Sequence, residues 1–397
     1  MLGGVIWPSP RPGGIGTQCN NGGCFPGTII CGVPPTTNLA CLLIADDLTG
    51  ACDAAVQFAR RGYRTNVHLD SDSEEAGVLA ISAESRHLGA AELRRVMDEL
   101  CQRLPVAQAR LLFKKIDSTL RGNVGAETAA ALTAFGCDVA VITPAFPAMG
   151  RTVEGGYLRV GTAEPIDLSA RLGLESCAHV QPSAFYAAIE AGARFISVDT
   201  ACDRDLDTIA AAGLRSKRRI LWAGSAGLAS ALARTLPWGG HPGPRPAPRR
   251  GSSVLFCIGS DHPVTVEQQR HLLAHRAALS FHAETSTPQS IMQALSRAEH
   301  VILSLPVRQT SPTRVRDLIG EAAAAALVLS GGDTASLVCR ALGVRRIELA
   351  DEIVPGIPWG RLSGGAFDRV RVATKSGGFG APHALIQVAD FFTCPTP

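Results

Sequence analysis

One pattern recurs along the chain: a short apolar run, a polar turn, and then a stretch whose apolar residues have helical spacing. The apolar runs cover residues 41–45, 111–116, 139–143, 194–198, 219–223, 253–258, 301–305 and 327–329. Repeated units of strand, turn and helix are typical of a mostly parallel sheet with helices on both faces. The pattern therefore predicts a doubly wound α/β fold.

A segment rich in proline, glycine and arginine, WGGHPGPRPAPRRGSS at residues 238–253, interrupts the series. It has no apolar period, and this composition is typical of an interdomain linker. We therefore expect two doubly wound, mostly parallel α/β domains, at 39–237 and 254–397, with ligands bound in the cleft between them. Residues 1–38 are rich in glycine and proline without any strand or helix period, so we expect a disordered extension.

The charge composition argues against two classes of partner. The 397 residues include 38 basic and 35 acidic side chains, and the net charge of +3 gives no electrostatic basis for binding nucleic acid or an anionic membrane. The apolar runs are too short to span a bilayer, and the N-terminus lacks a signal-peptide pattern. Most of the twelve cysteines lie in apolar contexts typical of a reducing compartment. We expect a cytoplasmic protein with a small-molecule partner.

Polar clusters at the predicted strand ends are the candidate site residues, because ligands of open α/β sheets bind at the carboxyl ends of strands. The first cluster, Asp46-Asp47, ends a buried strand and precedes a helix. A helix cap explains one aspartate, and the second is then free to bind hydroxyls or a cation or to act as a base. Arg86 follows another apolar stretch and would supply a carboxylate clamp.

The second cluster, KKIDSTLRGN, mixes cations, an acid and hydroxyls and suits a small polyhydroxy acid. Lys115 and Arg121 would pair with a carboxylate, and Asp117 and Ser118 with hydroxyls. A solvated loop is the alternative. Only four of the 38 basic residues are lysines, and three of them lie in this stretch or in TKSGGFG, which favours positions that need an ammonium group.

Two glycine-rich loops, SGGDT and TKSGGFG, follow predicted strands of the second domain. Paired glycines let backbone amides approach a ligand, and a helix N-terminus favours an anion such as phosphate. Either loop alone is also an ordinary connection, but two in one domain favour a nucleotide site. The candidate nucleotide-binding residues are Ser260, Gly331, Gly332, Asp333, Thr334, Lys375, Gly377 and Gly378.

Several common signatures are absent from the sequence. No GxxxxGK[ST] occurs, which excludes a P-loop NTPase, and no GxGxxG follows a strand, which argues against a Rossmann dehydrogenase. There is no GxSxG elbow of a hydrolase. Without HExxH or paired CxxC motifs, we expect no resident metal site.

Together, these stretches resemble the four-carbon acid sugar kinase family. The matching segments run in order from about residue 42 to residue 385 and are IADDLTGACDAA, SRHL, KKIDSTLRGNVGAE, TPAFPAMGRTVEGGYL, AGSAGLASALA, IGSDHPVT, LSGGDTASLVCRALG and TKSGGFG. No single segment identifies the family, but the occurrence of all eight in the same order is specific to it. The resemblance implies a sugar-acid domain followed by an ATP domain, and phosphorylation of the terminal hydroxyl of threonate, erythronate or a keto relative.

The resemblance also implies roles for residues and cofactors. ATP would bind at Ser260, Gly331 to Thr334, Gly377 and Gly378, with Mg²⁺ bridging its β and γ oxygens. The residues that contact the sugar acid would be one of Asp46 and Asp47, together with Arg86, Lys115, Asp117, Ser118 and Arg121. The base that accepts the hydroxyl proton would be Asp46, Asp47 or Asp117, and the sequence leaves these three open.

Two departures from the family pattern keep other functions open. Glu84 stands where the family often has a short acid or hydroxyl, and the stretch between IGSDHP and SGGDT is short. One alternative is a non-catalytic sugar-acid-binding protein with a decayed ATP domain. Another is a kinase of a different small hydroxy acid.

Overall fold

The computed structural model describes residues 39–69, 77–236, 253–297 and 299–393. The predicted extension 1–38 and the predicted linker, apart from Ser253, lie outside these ranges. We call the described residues before the linker the N-terminal half and those after it the C-terminal half.

The elements of the N-terminal half are β1 (Cys41–Ala45), α1 (Leu48–Ala59), β2 (Thr65–His68), β3 (Val78–Ser82), α2 (Ala90–Arg103), β4 (Leu111–Lys115), α3 (Val124–Ala134), β5 (Val139–Thr143), β6 (Arg151–Glu154), β7 (Tyr157–Val160), β8 (Ile166–Asp167), α4 (Leu168–Leu172), β9 (Cys177–Val180), α5 (Phe185–Glu190), β10 (Phe195–Val198), α6 (Asp203–Gly213), β11 (Ile220–Gly224) and α7 (Ala226–Thr235). Those of the C-terminal half are β12 (Val254–Ile258), α8 (Pro263–His275), β13 (Ala278–His282), α9 (Pro288–Ser296), β14 (His300–Ser304), α10 (Pro312–Ile319), β15 (Ala326–Ser330), α11 (Gly332–Ala341), β16 (Arg346–Val354), β17 (Ile357–Ser363), β18 (Arg371–Lys375) and α12 (Ala384–Thr393).

Within the described ranges, fifteen strands form one sheet in the order β13-β14-β12-β15-β18-β17-β16-β2-β3-β1-β4-β11-β5-β10-β9. In this sheet, every pairing that does not involve β16 or β17 is parallel, as the repeated strand–turn–helix pattern predicts. The structure therefore has the mostly parallel α/β architecture that the sequence predicts, and the strands of both halves join in one large sheet. The strands β6, β7 and β8 form a separate antiparallel sheet.

Three antiparallel pairings lie at the centre of the sheet, between the parallel strands of the two halves. Strand β16 pairs with β2 on one side and with β17 on the other, and β17 pairs with β18. Because the direction reverses three times, the parallel strands β12, β13, β14, β15 and β18 run opposite to the parallel strands of the N-terminal half. This antiparallel insert has no counterpart in the predicted series of parallel units.

The helix α1 lies at the centre of the molecule and is buried from Leu48 to Phe58. Its small residues, in LTGACDAAVQFA, let it pack against α7, α11 and β16 at once. One apolar cluster contains Phe58 and Trp222 of the N-terminal half together with Leu255 and Leu327 of the C-terminal half. The apolar core on this face of the sheet is thus continuous between the halves.

The eight strands that the sequence predicts as apolar runs all occur, with ends within one residue of the expected positions. The division into two domains at residues 238–253 stays a prediction. None of the helices in the described ranges has the length and apolar character needed to cross a membrane. The cysteines in those ranges form no disulfides.

Candidate active site

A cleft of about 800 Å³ lies where the carboxyl end of β1 meets the carboxyl ends of β12, β15 and β18. The predicted site residues that line it are Asp47, Arg86, Arg121, Ser260, Gly331, Gly332, Asp333, Thr334 and Gly377. Residues from both halves thus share one cavity. A second cavity, of about 740 Å³ between the ends of α9, α10 and α11, contains none of them.

Asp47 is the N-cap of α1. Its Oδ1 accepts hydrogen bonds from the Gly50 amide at 2.5 Å and the Thr49 hydroxyl at 3.2 Å, which satisfies a helix-end donor. Its Oδ2 faces the C-terminal half, where a Cβ added to Gly332 would lie 2.6 Å away. Burial and the adjacent Asp46 raise the pKa of Asp47, and the Arg86 cation opposes the shift.

Arg86 is surrounded by three carboxylates. It contacts Asp46 Oδ2 through Nε and Nη2, both at 2.7 Å, and Asp47 Oδ2 through Nη1 at 2.7 Å, while Asp117 Oδ2 lies 3.6 Å from Nη2. Burial disfavours the cation, but these carboxylates outweigh it and raise the pKa of Arg86. Arg86 therefore positions the aspartates, and in this arrangement its donors are directed at protein carboxylates rather than into the cleft.

Asp117 is held by its own loop. Its Oδ1 accepts from the amide and hydroxyl of Thr119 at 2.8 and 2.5 Å, and its Oδ2 accepts from Arg121 Nε and Nη2 at 3.1 and 2.7 Å. Burial favours the neutral acid, yet the bonds and charge of Arg121 outweigh it and hold the pKa of Asp117 well below its usual range. Such a carboxylate is a weak proton acceptor, so Asp117 is a poorer base than Asp47.

The two lysines of the KKIDSTLRGN stretch have different environments. The Lys114 ammonium is fully buried and contacts Glu127 Oε2 at 2.6 Å, while Ser85 donates to the same oxygen at 3.0 Å. The Lys115 ammonium donates to the Ile116 carbonyl at 2.8 Å and lowers the pKa of Asp47 and of Asp53 by its charge. Lys114 therefore braces the loop that carries Arg86, and Lys115 supplies charge to the site.

The three glycine-containing turns of the C-terminal half pack directly on one another. A Cβ at Gly377 would overlap Ser260 Oγ, and one at Gly259 would overlap Thr334 Oγ1. Gly331 has φ +103°, a conformation that other residues rarely adopt, and it precedes the first residue of α11. The amide end of α11 thus opens into the cleft, an arrangement suited to phosphate.

Lys375 lies beneath its loop instead of lining the cleft. Its ammonium donates to the Thr265 hydroxyl at 3.1 Å and to the carbonyls of Ser376, Gly377 and Phe379 at 2.9, 3.0 and 3.3 Å. Burial without a nearby carboxylate lowers the pKa of Lys375 to about 7. The geometry thus assigns this lysine to holding the glycine loop, which differs from the nucleotide contact that the sequence predicts.

Sequence reasoning missed two buried charged residues beside the site. Asp53 lies in α1 with an Oδ1 that has no hydrogen-bond donor, and burial raises its pKa to about 7 against the opposing charge of Lys115. Arg151 begins β6 and donates to the Ser118 hydroxyl. A single acid in an otherwise apolar helix, and an arginine soon after the end of β5, were the signals available in the sequence.

The halves also meet through contacts of Glu84 and Ser376. Glu84 has φ +49° and pairs with Arg340 of α11 at 2.6 Å. Ser376 donates to the Thr49 hydroxyl at 3.3 Å. Glu84 therefore contacts the C-terminal half and does not line the cleft.

Two acidic side chains on the wall of the cleft formed by the C-terminal half suit a cation that arrives with phosphate. No group of three or more metal-ligating side chains occurs in the described parts of the chain. Mg²⁺ bound to a nucleotide needs only one or two carboxylates, because phosphate oxygens and waters complete its octahedron. Asp261 and Asp333 line the cleft and meet this requirement.

Two family models match the chain. A sugar-binding N-terminal domain matches residues 41–171 and 169–232, and a nucleotide-binding C-terminal domain matches residues 266–385. The first match covers the strands that carry the aspartates, and the second covers both glycine loops.

Curated relatives align with most of the chain. A D-threonate kinase of Bordetella bronchiseptica is 33% identical over 88% of this chain and 96% of its own length. A D-erythronate kinase of Heliobacterium modesticaldum is 30% identical over 88% and 96%, and a 3-oxo-tetronate kinase of Cupriavidus necator is 30% identical over 88% and 94%.

Two solved structures share the fold. A Salmonella typhimurium protein described as a putative tRNA synthase superposes with a TM-score of 0.69 at 23% identity, covering 89% of this chain and 99% of that one. A Haemophilus influenzae protein of the DUF1537 family superposes with a TM-score of 0.65 at 22% identity, covering 88% and 100%. At these identities the likeness is one of fold.

Proposed function

The chain belongs to the four-carbon acid sugar kinase family, and from that premise we propose that it transfers the γ-phosphoryl group of ATP to the terminal hydroxyl of a four-carbon sugar acid. Threonate, erythronate and an oxo-tetronate are the candidate acids, because the aligned relatives carry these names. The unpaired cysteines are compatible with the reducing cytoplasm as the place of this activity.

One observation carries the proposal. The Asp47 carboxylate of the sugar half lies against Gly332, the first residue of α11, so a proton acceptor and a phosphate-binding helix end share one wall of the cleft. Phosphoryl transfer needs positioning and charge neutralisation more than covalent chemistry, and this juxtaposition supplies both.

Asp47 is the base that we assign among the three candidates. Its raised pKa matches a proton acceptor better than the lowered pKa of Asp117, and its Oδ2 faces the nucleotide side. The substrate oxygen forms a bond to the γ-phosphorus as the bond to the leaving ADP oxygen breaks, and the hydroxyl proton passes to Asp47. Asp46 and Arg86 hold this carboxylate in place.

The glycine loops form the ATP site in this proposal. Backbone amides at Gly331 and Gly332 and the α11 N-terminus face the phosphates, with Ser260, Thr334 and Gly377 as further walls. Asp261 and Asp333 are the carboxylates available to Mg²⁺, which when bound neutralises charge on the β and γ oxygens. The remaining residues assigned to the sugar acid are Lys115, Asp117, Ser118 and Arg121.

The test is ADP release from Mg-ATP with each D and L isomer of threonate and erythronate and with an oxo-tetronate. We expect release with one acid and none without it. Thermal-shift wells separate the alternatives. A shift with an acid but none with ATP would indicate a non-catalytic binding protein, and a shift with ATP alone would indicate a kinase of another hydroxy acid.

A further inference from the structure

Arg151 is a buried cation beside the proposed acid site. It begins β6, shortly after the carboxyl end of β5, and is 7% exposed. Its Nη1 donates to the Ser118 hydroxyl, whereas its buried Nε has no acceptor. The guanidinium carbon lies 4.6 Å from the centroid of the Phe379 ring, which fixes the plane of the group by a cation–π contact.

Arg151 has no carboxylate partner in the described ranges, in contrast to the buried Lys114 and the partly buried Arg86 of the N-terminal half. Lys114 pairs with Glu127, and Arg86 pairs with Asp46 and Asp47. Burial lowers the pKa of Arg151, and the charges of Asp117 and Asp53 only partly oppose this. A buried cation without a paired anion is costly, so a protein that retains one at a binding site is set up to receive an anion.

The other two arginines assigned to the acid site direct donors at protein carboxylates. Arg86 is directed at the carboxylates described above, and Arg121 holds Asp117 through two nitrogens while its side chain is 60% exposed. Arg151 therefore combines burial with a free donor, and it shares Ser118 with the loop assigned to the acid. Nearby, Asp53 presents a buried oxygen without a donor, as a hydroxylated ligand would require.

We propose that Arg151 binds the carboxylate of the sugar acid, together with Ser118, and so selects acids as substrates. This inference rests on the proposed function. It moves the carboxylate contact from Lys115, Arg121 and Arg86, for which the sequence predicts it, to a residue outside the predicted site. The stack of Arg151 on Phe379 places this contact against the loop that carries Gly377.

The experiment compares Arg151→Met, Arg151→Lys and the control Arg159→Met. Arg159 lies on β7, opposite Thr152 of the same hairpin, and its side chain is 52% exposed. Calorimetry measures the Kd of the acid that gives ADP release, and separately the Kd of a non-hydrolysable ATP analogue. We expect Arg151→Met to raise the acid Kd by about 30-fold or more, the range for truncating one partner of a buried charge pair. The acid Kd of Arg151→Lys should lie between those of Arg151→Met and the wild type, and the acid Kd of the Arg159→Met control should equal that of the wild type.

The melting temperature of the ligand-free protein separates binding from folding. Because Arg151 is an unpaired buried charge, we expect Arg151→Met to melt within a few degrees of the wild type and to lose the acid-induced shift. An unchanged acid Kd would overturn the proposal, as would weakened binding of the nucleotide analogue alone, which would assign Arg151 to phosphate. A lower melting temperature with both affinities retained would make the residue structural. If the wild type responds to no acid in the ADP-release panel, the proposed function fails, and this inference fails with it.

Discussion

Replacing Asp47 by Asn tests the assignment of the base. The amide keeps the shape of the side chain and can still accept from the Gly50 amide, but it cannot take a proton from the substrate hydroxyl. A positioned base contributes about 10²- to 10⁴-fold, so we expect kcat to fall by about that factor. The Asp47 pKa is raised on folding, so its contribution to stability is present in acid and is lost as pH rises through the folded pKa. Above that pKa the ionised side chain adds little stability, and the variant should melt near the wild type.

The assay is the pH dependence of kcat at saturating acid and Mg-ATP. Wild-type activity should fall as pH drops through the raised Asp47 pKa, because protonation removes the acceptor. This acid limb should vanish in Asp47→Asn. The control is Asp117→Asn, which breaks the contact with Arg121 and should raise the KM of the acid while leaving the limb in place. The reasoning would be refuted if Asp47→Asn kept the kcat of the wild type. It would also be refuted if the fall of kcat at low pH disappeared in Asp117→Asn but remained in Asp47→Asn.

Three further variants probe the supporting structure. Gly331→Val places a branched side chain at φ +103° next to Thr334. We expect calorimetry to show no binding of an ATP analogue, while the acid still shifts the melting temperature. Loss of both responses would mean that the variant is misfolded. Lys114→Met leaves the buried Glu127 without its ion-pair partner and should lower the free energy of unfolding, measured in urea, by about 3–5 kcal/mol. Adding Glu127→Gln to this variant should restore part of that stability. An unchanged free energy of unfolding in Lys114→Met would contradict the stabilising role of the pair. Lys375→Met frees three carbonyls of the glycine loop and should raise the KM of ATP without changing the acid Kd; an unchanged KM would show that the loop holds without it.

The strand ends were accessible from the sequence because two simple rules apply to them. Apolar runs followed by polar turns mark where parallel strands stop, and the carboxyl ends of such strands collect ligands. Asp47, Gly331 and Gly332 follow β1 and β15 and do line one cleft. The central insert of β16 and β17 escaped prediction because its pairings are long-range and antiparallel.

The direction of each side chain was harder to predict than its place in the fold. Arg86 looked like a clamp for a substrate carboxylate, but aspartates from two other strand ends take its donors. Lys375 looked like a phosphate ligand, but its ammonium is directed at loop carbonyls. Both outcomes depend on partners distant in sequence or on the path of a loop, which local patterns do not encode.

The ³¹P NMR spectrum of the product tests the central claim most directly. The protein is incubated with Mg-ATP and the acid that gives ADP release, and the phosphorus signals are recorded with proton coupling. Transfer to a terminal hydroxyl, as we propose for the Asp47 and Gly332 site, gives a new phosphomonoester resonance split into a triplet by the two protons of a CH₂ group. A doublet would place the phosphate on an internal carbon, and inorganic phosphate alone would show hydrolysis without transfer. Either result would contradict the account.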